Sequence, residues 1–200
     1  MNFLQPGGWV MGLFYGAAAL VVLYLWASDV RSKSQTGFPG ATLAPTRTVL
    51  IAGAGGLVIT LLETWGESLL GLTAEQSELA AIAIVPLLAA AVIEELVFRG
   101  YLVIDQKGKA WLVGSVVTFS FLFAVIHPYL WTWEEGKLSI EWTAKGVFST
   151  AAVFANSLWF YVVRFSFGNK SHSLLPCFVA HAVSNASVWA IKGYQGFLVW

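Results

Sequence analysis

The chain has 200 residues, of which 58% are hydrophobic and 11% are charged, and its formal net charge at pH 7 is zero. A soluble globular domain carries about 25% charged residues, so this composition excludes an ordinary soluble protein and indicates a chain surrounded mostly by lipid. The sequence has no run of basic residues, which argues against nucleic acid as a partner, and its single cysteine, Cys177, excludes an internal disulfide.

Six apolar segments are candidates for crossing a bilayer, which takes about 20 residues. In chain order the predicted helices cover residues 9–27, 48–65, 79–104, 110–130, 146–167 and 173–191. The second contains Gly53, Gly55 and Gly56, small residues that are typical of close contact between membrane helices. The third contains Pro86, which predicts a kink. The predicted fold class is an all-α, polytopic membrane bundle of about six transmembrane helices, in one domain over residues 1–200.

The segments between these helices are polar. We expect residues 67–78 to form a hydrated acidic loop that contains Glu67, Glu75 and Glu78, and residues 131–145 to lie at an interface, with Glu134–Glu135 solvated. Several tryptophans fall at the edges of apolar runs, where their amphipathic rings favour the headgroup region. They are Trp26, Trp65, Trp111, Trp131, Trp133 and Trp142.

The distribution of Lys and Arg predicts the orientation in the membrane. The loops after the first, third and fifth helices hold Arg31, Lys33, Arg47, Lys107, Lys109, Arg164 and Lys170, whereas the other side holds Lys137, Lys145 and Lys192. Because cytoplasmic loops carry the excess of Lys and Arg, we expect the three basic loops in the cytoplasm and both termini outside.

The third helix carries three ionisable residues, Glu94, Glu95 and Arg99, inside an apolar run. Each ionised group costs about 2.5–3.5 kcal/mol at the centre of a spanning helix, so such groups are expected to have partners and a function. Glu95 and Arg99 lie four residues apart and can pair. Glu94 lies about 100° round the helix and has no local partner, which makes it a candidate general acid or base. The alternative is a structural polar network that ties helices together.

Three further polar residues lie in apolar helices: His127 in the fourth, and His181 and Asn185 on one face of the sixth. Each alone is compatible with an ordinary hydrogen bond between helices. Since scattering polar groups in lipid would cost each its partner, we predict that these side chains converge with Glu94 in one pocket.

For Glu94 and His127 to meet, their helices cannot form a simple hairpin, because the two residues would then lie at different depths in the membrane. Counted from Lys107, Glu94 is 13 residues before the turn and His127 is 20 residues after it. In a simple helical hairpin that difference displaces them by about 10 Å. We therefore expect part of residues 105–113 to be interfacial, or the fourth helix to be offset or tilted.

Three motifs follow one another on successive apolar helices: E-E-x-x-x-R at residues 94–99, F-x-x-x-H at 123–127 and H-x-x-x-N at 181–185. In this order they resemble the CPBP family, also called the ABI family, which includes the type II CAAX prenyl endopeptidases. The resemblance covers about residues 79–191 as a catalytic core. Residues 1–78, with two extra helices, are not part of the signature.

The resemblance implies a set of catalytic residues: Glu94, Glu95, Arg99, His127, His181 and Asn185. Glu94 would activate the attacking water, assisted by His127. The H-x-x-x-N pair would stabilise the oxyanion, as preorganised donors do in acyl transfer. Glu95, held by Arg99, would orient the site. The implied reaction is hydrolysis of a peptide bond without a covalent intermediate.

The resemblance also sets the expected cofactor, substrate and location. We expect no cofactor, although Glu94, His127 and His181 could instead hold a catalytic zinc ion. The expected substrate is the C-terminal region of a membrane-anchored or lipidated protein or peptide, and the expected location is a prokaryotic cytoplasmic (inner) membrane. Two other functions remain open: a non-enzymatic immunity or scaffold protein, and a transporter or proton relay. The latter usually shows internal repeats, which this sequence lacks.

Overall fold

The computed structural model describes residues 6–32, 37–134 and 136–200, so Lys33 and Glu135 lie outside the described residues. The described residues form six α-helices: α1 Pro6–Ser32, α2 Thr46–Leu69, α3 Ile84–Glu95, α4 Lys109–Ile126, α5 Ala144–Phe165 and α6 Leu175–Gln195. The predicted all-α bundle is confirmed. The predicted division into residues 1–78 and 79–191 stays a prediction.

Short elements occupy the connections. A π-helical turn, Leu96–Tyr101, continues α3, and 3₁₀ turns cover Thr73–Glu75 and Ala81–Ala83. Strand β1, Leu79–Ala80, pairs in parallel with β4, Leu198–Val199, and β2, Trp131–Glu134, pairs with β3, Lys137–Ile140, in an antiparallel hairpin. The predicted interfacial segment 131–145 therefore contains a hairpin, which the sequence pattern did not predict.

Five of the described helical segments are long and apolar enough to cross a membrane: Val10–Ser32 of α1, α2, Ala81–Tyr101 with α3 at its centre, α4 and α5. Helix α6 is not among these candidate spans, because its polar residues lower its hydropathy. It nevertheless runs the full height of the bundle: Ser173 Oγ, just before α6, donates to the Thr42 carbonyl at 2.6 Å, and Lys192 Nζ donates to the Ser77 carbonyl at 2.6 Å at the other end. The chain is thus a polytopic integral membrane protein with α6 inside the bundle.

Helix α6 packs most extensively against α2, and glycines make the contact possible. A Cβ atom at Gly56 would lie 2.6 Å from the carbonyl oxygen of Ala180, whereas one at Gly53 would meet Val179 Cγ1 at 3.4 Å. The predicted close approach of the second helix to another is confirmed. Small residues of this kind allow helix backbones to approach in membranes, where van der Waals packing drives association.

The third helical segment departs from α geometry on both sides of α3. Pro86 is the third residue of α3, which follows the 3₁₀ turn Ala81–Ala83 directly. The predicted kink at Pro86 stays a prediction. On the other side of α3 lies the π turn, where Leu102 N–H donates to the Val97 carbonyl at 3.0 Å. Such turns are frequent at functional sites.

Two residues expected at the membrane surface are buried. Helix α1 continues to Ser32, so Trp26 lies inside it, 5% exposed, and packs edge-on against Phe178 with ring centroids 5.2 Å apart. Helix α2 continues to Leu69, so Glu67 is a buried helical residue and not part of a hydrated loop. Both predictions failed because the helices extend beyond their most apolar stretch. Trp65, Trp111, Trp133 and Trp142 are exposed, as expected.

Candidate active site

The side chain of Arg99 is fully buried and forms the centre of a polar network. Its Nη1 donates to Glu95 Oε1 at 3.0 Å, and its Nη2 donates to Ser157 Oγ at 2.6 Å and to the Ser157 carbonyl at 3.1 Å. Four aromatic rings surround the guanidinium: Phe98, Phe123, Phe160 and Tyr161, with centroids 4.5–5.9 Å away. The predicted pairing of Glu95 with Arg99 is present, and π faces attract the cation where water cannot solvate it.

Glu95 also binds the histidine of the sixth helix. Its Oε1 lies 2.8 Å from His181 Nδ1, and because a carboxylate oxygen accepts, Nδ1 carries the hydrogen. The imidazole stacks on Phe160, with centroids 4.9 Å apart and planes 17° apart. Glu95 therefore orients the imidazole of His181 and leaves the Nε2 atom of that ring available. This contact joins residues that are 86 positions apart in the chain.

Glu94 points away from this network, as its position on the helix predicted. Glu94 lines a cavity of about 660 Å³. Its Oε2 is buried and has no hydrogen-bond partner among the described residues. His127, His181 and Asn185 line the same cavity. The structure thus brings together the side chains from α3, α6 and the end of α4 that were predicted to converge.

His127 lies where α4 ends. The helix stops at Ile126, and His127 has an extended backbone, as expected of a residue before Pro128. Its Nδ1 is 2.6 Å from the Phe123 carbonyl oxygen. Because a carbonyl only accepts, Nδ1 carries the hydrogen, and neutral His127 offers Nε2 as an acceptor.

The expected mismatch in depth is removed by an offset of α4. Ile104 N–H donates to Ser115 Oγ at 3.1 Å, so Ile104 lies beside the seventh residue of α4, and the first turns of α4 extend beyond it. The rings of Phe98 and Phe123 are in contact, with centroids 5.0 Å apart. Glu94 is one turn before Phe98, and His127 is one turn after Phe123, so both lie at a similar depth.

Asn185 lies one turn after His181 on α6. Its Nδ2 donates to the Leu87 carbonyl on α3 at 2.7 Å. One amide hydrogen is therefore used to join two helices, while the second hydrogen and Oδ1 remain for a ligand. Its location in the cavity allows both a structural and a binding role.

The described side chains also bear on metal binding. Among them, no three His, Cys, Asp or Glu side chains are grouped closely enough to hold an ion. Both cavity histidines use Nδ1 within the protein, so each has only Nε2 left to offer. The metal-free expectation and the zinc alternative both remain predictions for experiment.

Two parts of the site were missed by sequence reasoning. Ser157 on α5 accepts twice from Arg99, and a buried guanidinium with five donors required such acceptors. The cavity also extends to a charged rim, where buried Glu67 pairs with Lys145 and accepts from Gln76. The signal that could have revealed this rim is the length of α2, which continues beyond its apolar stretch and so carries Glu67 on the helix.

These features define a class: a helical membrane protein with a buried Glu–Arg–His network beside a polar cavity lined by a second glutamate, whose Oε2 has no hydrogen-bond partner in the described part of the chain. Residues 76–187, more than half of the chain, match the family described as type II CAAX prenyl endopeptidase Rce1-like. The chain belongs to this family, and its membership indicates a CAAX-type intramembrane protease. The result agrees with the resemblance to the CPBP family. Neither a curated protein nor a solved structure matches the chain.

Proposed function

We propose that the protein is a glutamate-dependent endopeptidase that hydrolyses a peptide bond near the C-terminus of a membrane-anchored or lipidated protein or peptide. The observation that carries this proposal is that Glu94 lines a cavity together with His127, His181 and Asn185, while its buried Oε2 has no hydrogen-bond partner among the described residues. Glu95 is already engaged by Arg99 and His181. Of the adjacent glutamates, Glu94 is therefore the one free to act on water.

In the proposed reaction, Glu94 takes a proton from water as the water oxygen attacks the carbonyl carbon of the scissile bond. The Nε2 atom of His127 accepts the second hydrogen bond of that water and so fixes its direction of attack. The C–N bond then breaks, and the leaving nitrogen receives the proton from Glu94. A general base of this kind contributes about 10²–10⁴-fold to rate.

The tetrahedral intermediate carries a negatively charged oxygen, which hydrogen-bond donors must stabilise. Asn185 has one unused amide hydrogen. The second candidate donor is His181, because Glu95 Oε1 holds its Nδ1 and leaves Nε2 for the substrate; Nε2 donates when it carries a hydrogen. One such donor in a site that excludes water is worth about 10²–10³-fold.

The test is cleavage by the purified protein in detergent, with anchored and farnesylated C-terminal peptides as substrates. Glu94→Gln keeps the size of the side chain and removes the base, so we expect cleavage to fall by about 10²–10⁴-fold. His127→Ala should also reduce it. Glu78→Gln is the matched control, because Glu78 is exposed and lies outside the cavity lining. Each variant is assayed with and without a chelator.

Cleavage that survives the chelator and is lost in Glu94→Gln would support the proposal. Cleavage lost to the chelator and restored by zinc would instead support the zinc alternative and refute a metal-free mechanism. Full activity of Glu94→Gln would refute the role of Glu94, since no other residue of the site is proposed as the base.

A further inference from the structure

The loops of the bundle form two distinct ends. At one end, which we call the basic end, lie residues 37–45, 102–108 and 166–174. Ser171 Oγ donates to the Leu43 carbonyl at 2.8 Å, and His172 Nδ1 is 3.9 Å from Asp105 Oδ2, so all three segments are joined there. At the opposite end, which we call the cavity end, lie residues 70–80, 127–143 and 196–200.

Contacts at the cavity end join its three segments in the same way. Lys192 Nζ donates to the Ser77 carbonyl at 2.6 Å. Leu79 N–H donates to the Phe197 carbonyl at 2.9 Å. The carboxylate of Glu67 binds Lys145, at the start of α5. Six helices of alternating direction thus place the second and fourth loops with the C-terminal segment, away from the basic end.

The cavity lies in the half of the bundle nearest the cavity end. Most of its lining comes from the C-terminal halves of α2, α4 and α6, from the N-terminal half of α5 and from the first two turns of α3, whereas Glu94, Phe160 and His181 line its inner part nearer the middle of the bundle. In an alternating bundle, those halves and turns are the parts of each helix nearest the cavity end. The rim includes Glu75, Gln76 and Ser77 before α3, together with Tyr129 and Thr143. Water and substrate therefore reach Glu94 from the cavity end.

The distribution of charge separates the two ends as well. The described cations at the basic end are Arg31, Arg47, Lys107, Lys109, Arg164 and Lys170, whereas those at the cavity end are Lys137, Lys145 and Lys192. Two of the latter line the cavity: Lys145 pairs with Glu67, and Lys192 binds a backbone carbonyl. Because loops rich in Lys and Arg stay in the cytoplasm, the basic end is the cytoplasmic end.

We infer that the cavity opens to the face of the membrane opposite the cytoplasm, and that the segment cleaved is an extracytoplasmic, membrane-proximal part of an anchored protein. The second half of this inference rests on the proposed function, whereas the sidedness of the opening does not. The mixed charges of the rim suit a polar peptide segment beside a membrane anchor. A substrate presented in the cytoplasm would meet the basic end, which the cavity does not reach.

The first arm of the test measures sidedness without any cleavage. Single cysteines are placed in a Cys177→Ser background, because the only native thiol is fully buried. Glu78→Cys is exposed at the cavity end, and Lys170→Cys is the matched exposed position at the basic end. In intact bacterial cells, a membrane-impermeant maleimide should label Glu78→Cys at least about tenfold more than Lys170→Cys. Permeabilised cells should label both equally. The reverse pattern in intact cells would overturn the inference.

The second arm tests the route of the substrate. Ser77→Cys places a thiol on the cavity rim. A bulky impermeant maleimide is added to intact cells, the protein is solubilised, and cleavage of anchored peptides is compared with that by the same variant left unlabelled. Labelling from outside should reduce cleavage at least about tenfold, while the equally treated Cys177→Ser protein should lose nothing.

The two arms separate the possible failures. External labelling at Ser77→Cys with cleavage unchanged would refute the cavity mouth as the substrate's route. If the Cys177→Ser protein and the wild type cleave no anchored peptide, the proposed function fails together with the inferred substrate. In that case the labelling of Glu78→Cys and Lys170→Cys still decides on which side the cavity opens.

Discussion

The buried pair of Glu95 and Arg99 should dominate the response of this fold to mutation. Both side chains are fully buried, and Nη1 and Oε1 are 3.0 Å apart. Removing one partner leaves an uncompensated charge inside the bundle, which costs about 3–5 kcal/mol. We therefore expect Arg99→Met or Glu95→Gln to lower the free energy of unfolding by that amount. For a chain of this length the corresponding fall in Tm is roughly 6–20 °C.

The double variant Glu95→Gln/Arg99→Met should be more stable than Arg99→Met alone. It removes both charges together, and methionine fills much of the volume of the arginine. What remains is the loss of the two hydrogen bonds to Ser157, each worth about 1.5–3 kcal/mol because the donor is charged. The two mutations should therefore be strongly non-additive, as expected of residues in one network.

The assay is thermal unfolding of the detergent-solubilised protein, followed by the loss of monodisperse protein after heating. Arg47→Met, at an exposed position at the start of α2, is the matched control and should change stability by less than about 0.5 kcal/mol. If the double variant were destabilised by the sum of the two single effects, the cost would come from lost packing and not from an unpaired charge. The reasoning would then be refuted.

Three further predictions concern packing, the cavity rim and the thiol. Gly56→Ala should lower Tm measurably, because its Cβ would lie 2.6 Å from a backbone oxygen of α6, whereas Gly53→Ala, at 3.4 Å from a side-chain carbon, should be neutral or slightly stabilising. Lys145→Met should leave the buried carboxylate of Glu67 unpaired and lower Tm, and adding Glu67→Gln should restore part of the loss. Cys177 should resist maleimide in the folded protein and react only after denaturation, as intact mass spectrometry would show, because it is fully buried.

Much of the fold could be predicted because membrane helices are coded locally. A run of about 20 apolar residues must be helical in lipid to satisfy its own backbone, so the existence of the six helices followed from composition. Their ends did not. Glu67 ends an apolar stretch and therefore looks like the start of a loop, yet it is helical and buried because Lys145, 78 residues later, is its partner. Hydropathy in a short window contains no information about such a partner.

The π turn escaped prediction for a related reason. Its backbone is stabilised from outside the segment: the Tyr161 hydroxyl on α5 donates to the Phe98 carbonyl at 2.8 Å. Gly100 allows Pro39 to approach, since a Cβ there would lie 2.9 Å from Pro39 Cγ. Neither contact is local in sequence.

The sequence predicted which residues meet in the candidate site better than it predicted which of their atoms bind one another. The energetic cost of polar groups in lipid explains this difference. Charged or polar groups in apolar helices are costly unless they meet one another or water, so the residue types and their positions in the chain suffice to predict that Glu94, His127 and His181 lie together. Which atom binds which depends on the rotation and depth of each helix. The contact of Glu95 with Arg99 is set by one turn of helix, whereas its contact with His181 joins residues 86 positions apart. Through the second contact Glu95 joins two helices, whereas Oε2 of Glu94 has no hydrogen-bond partner among the described residues, a division of roles that two adjacent glutamates in a sequence do not reveal.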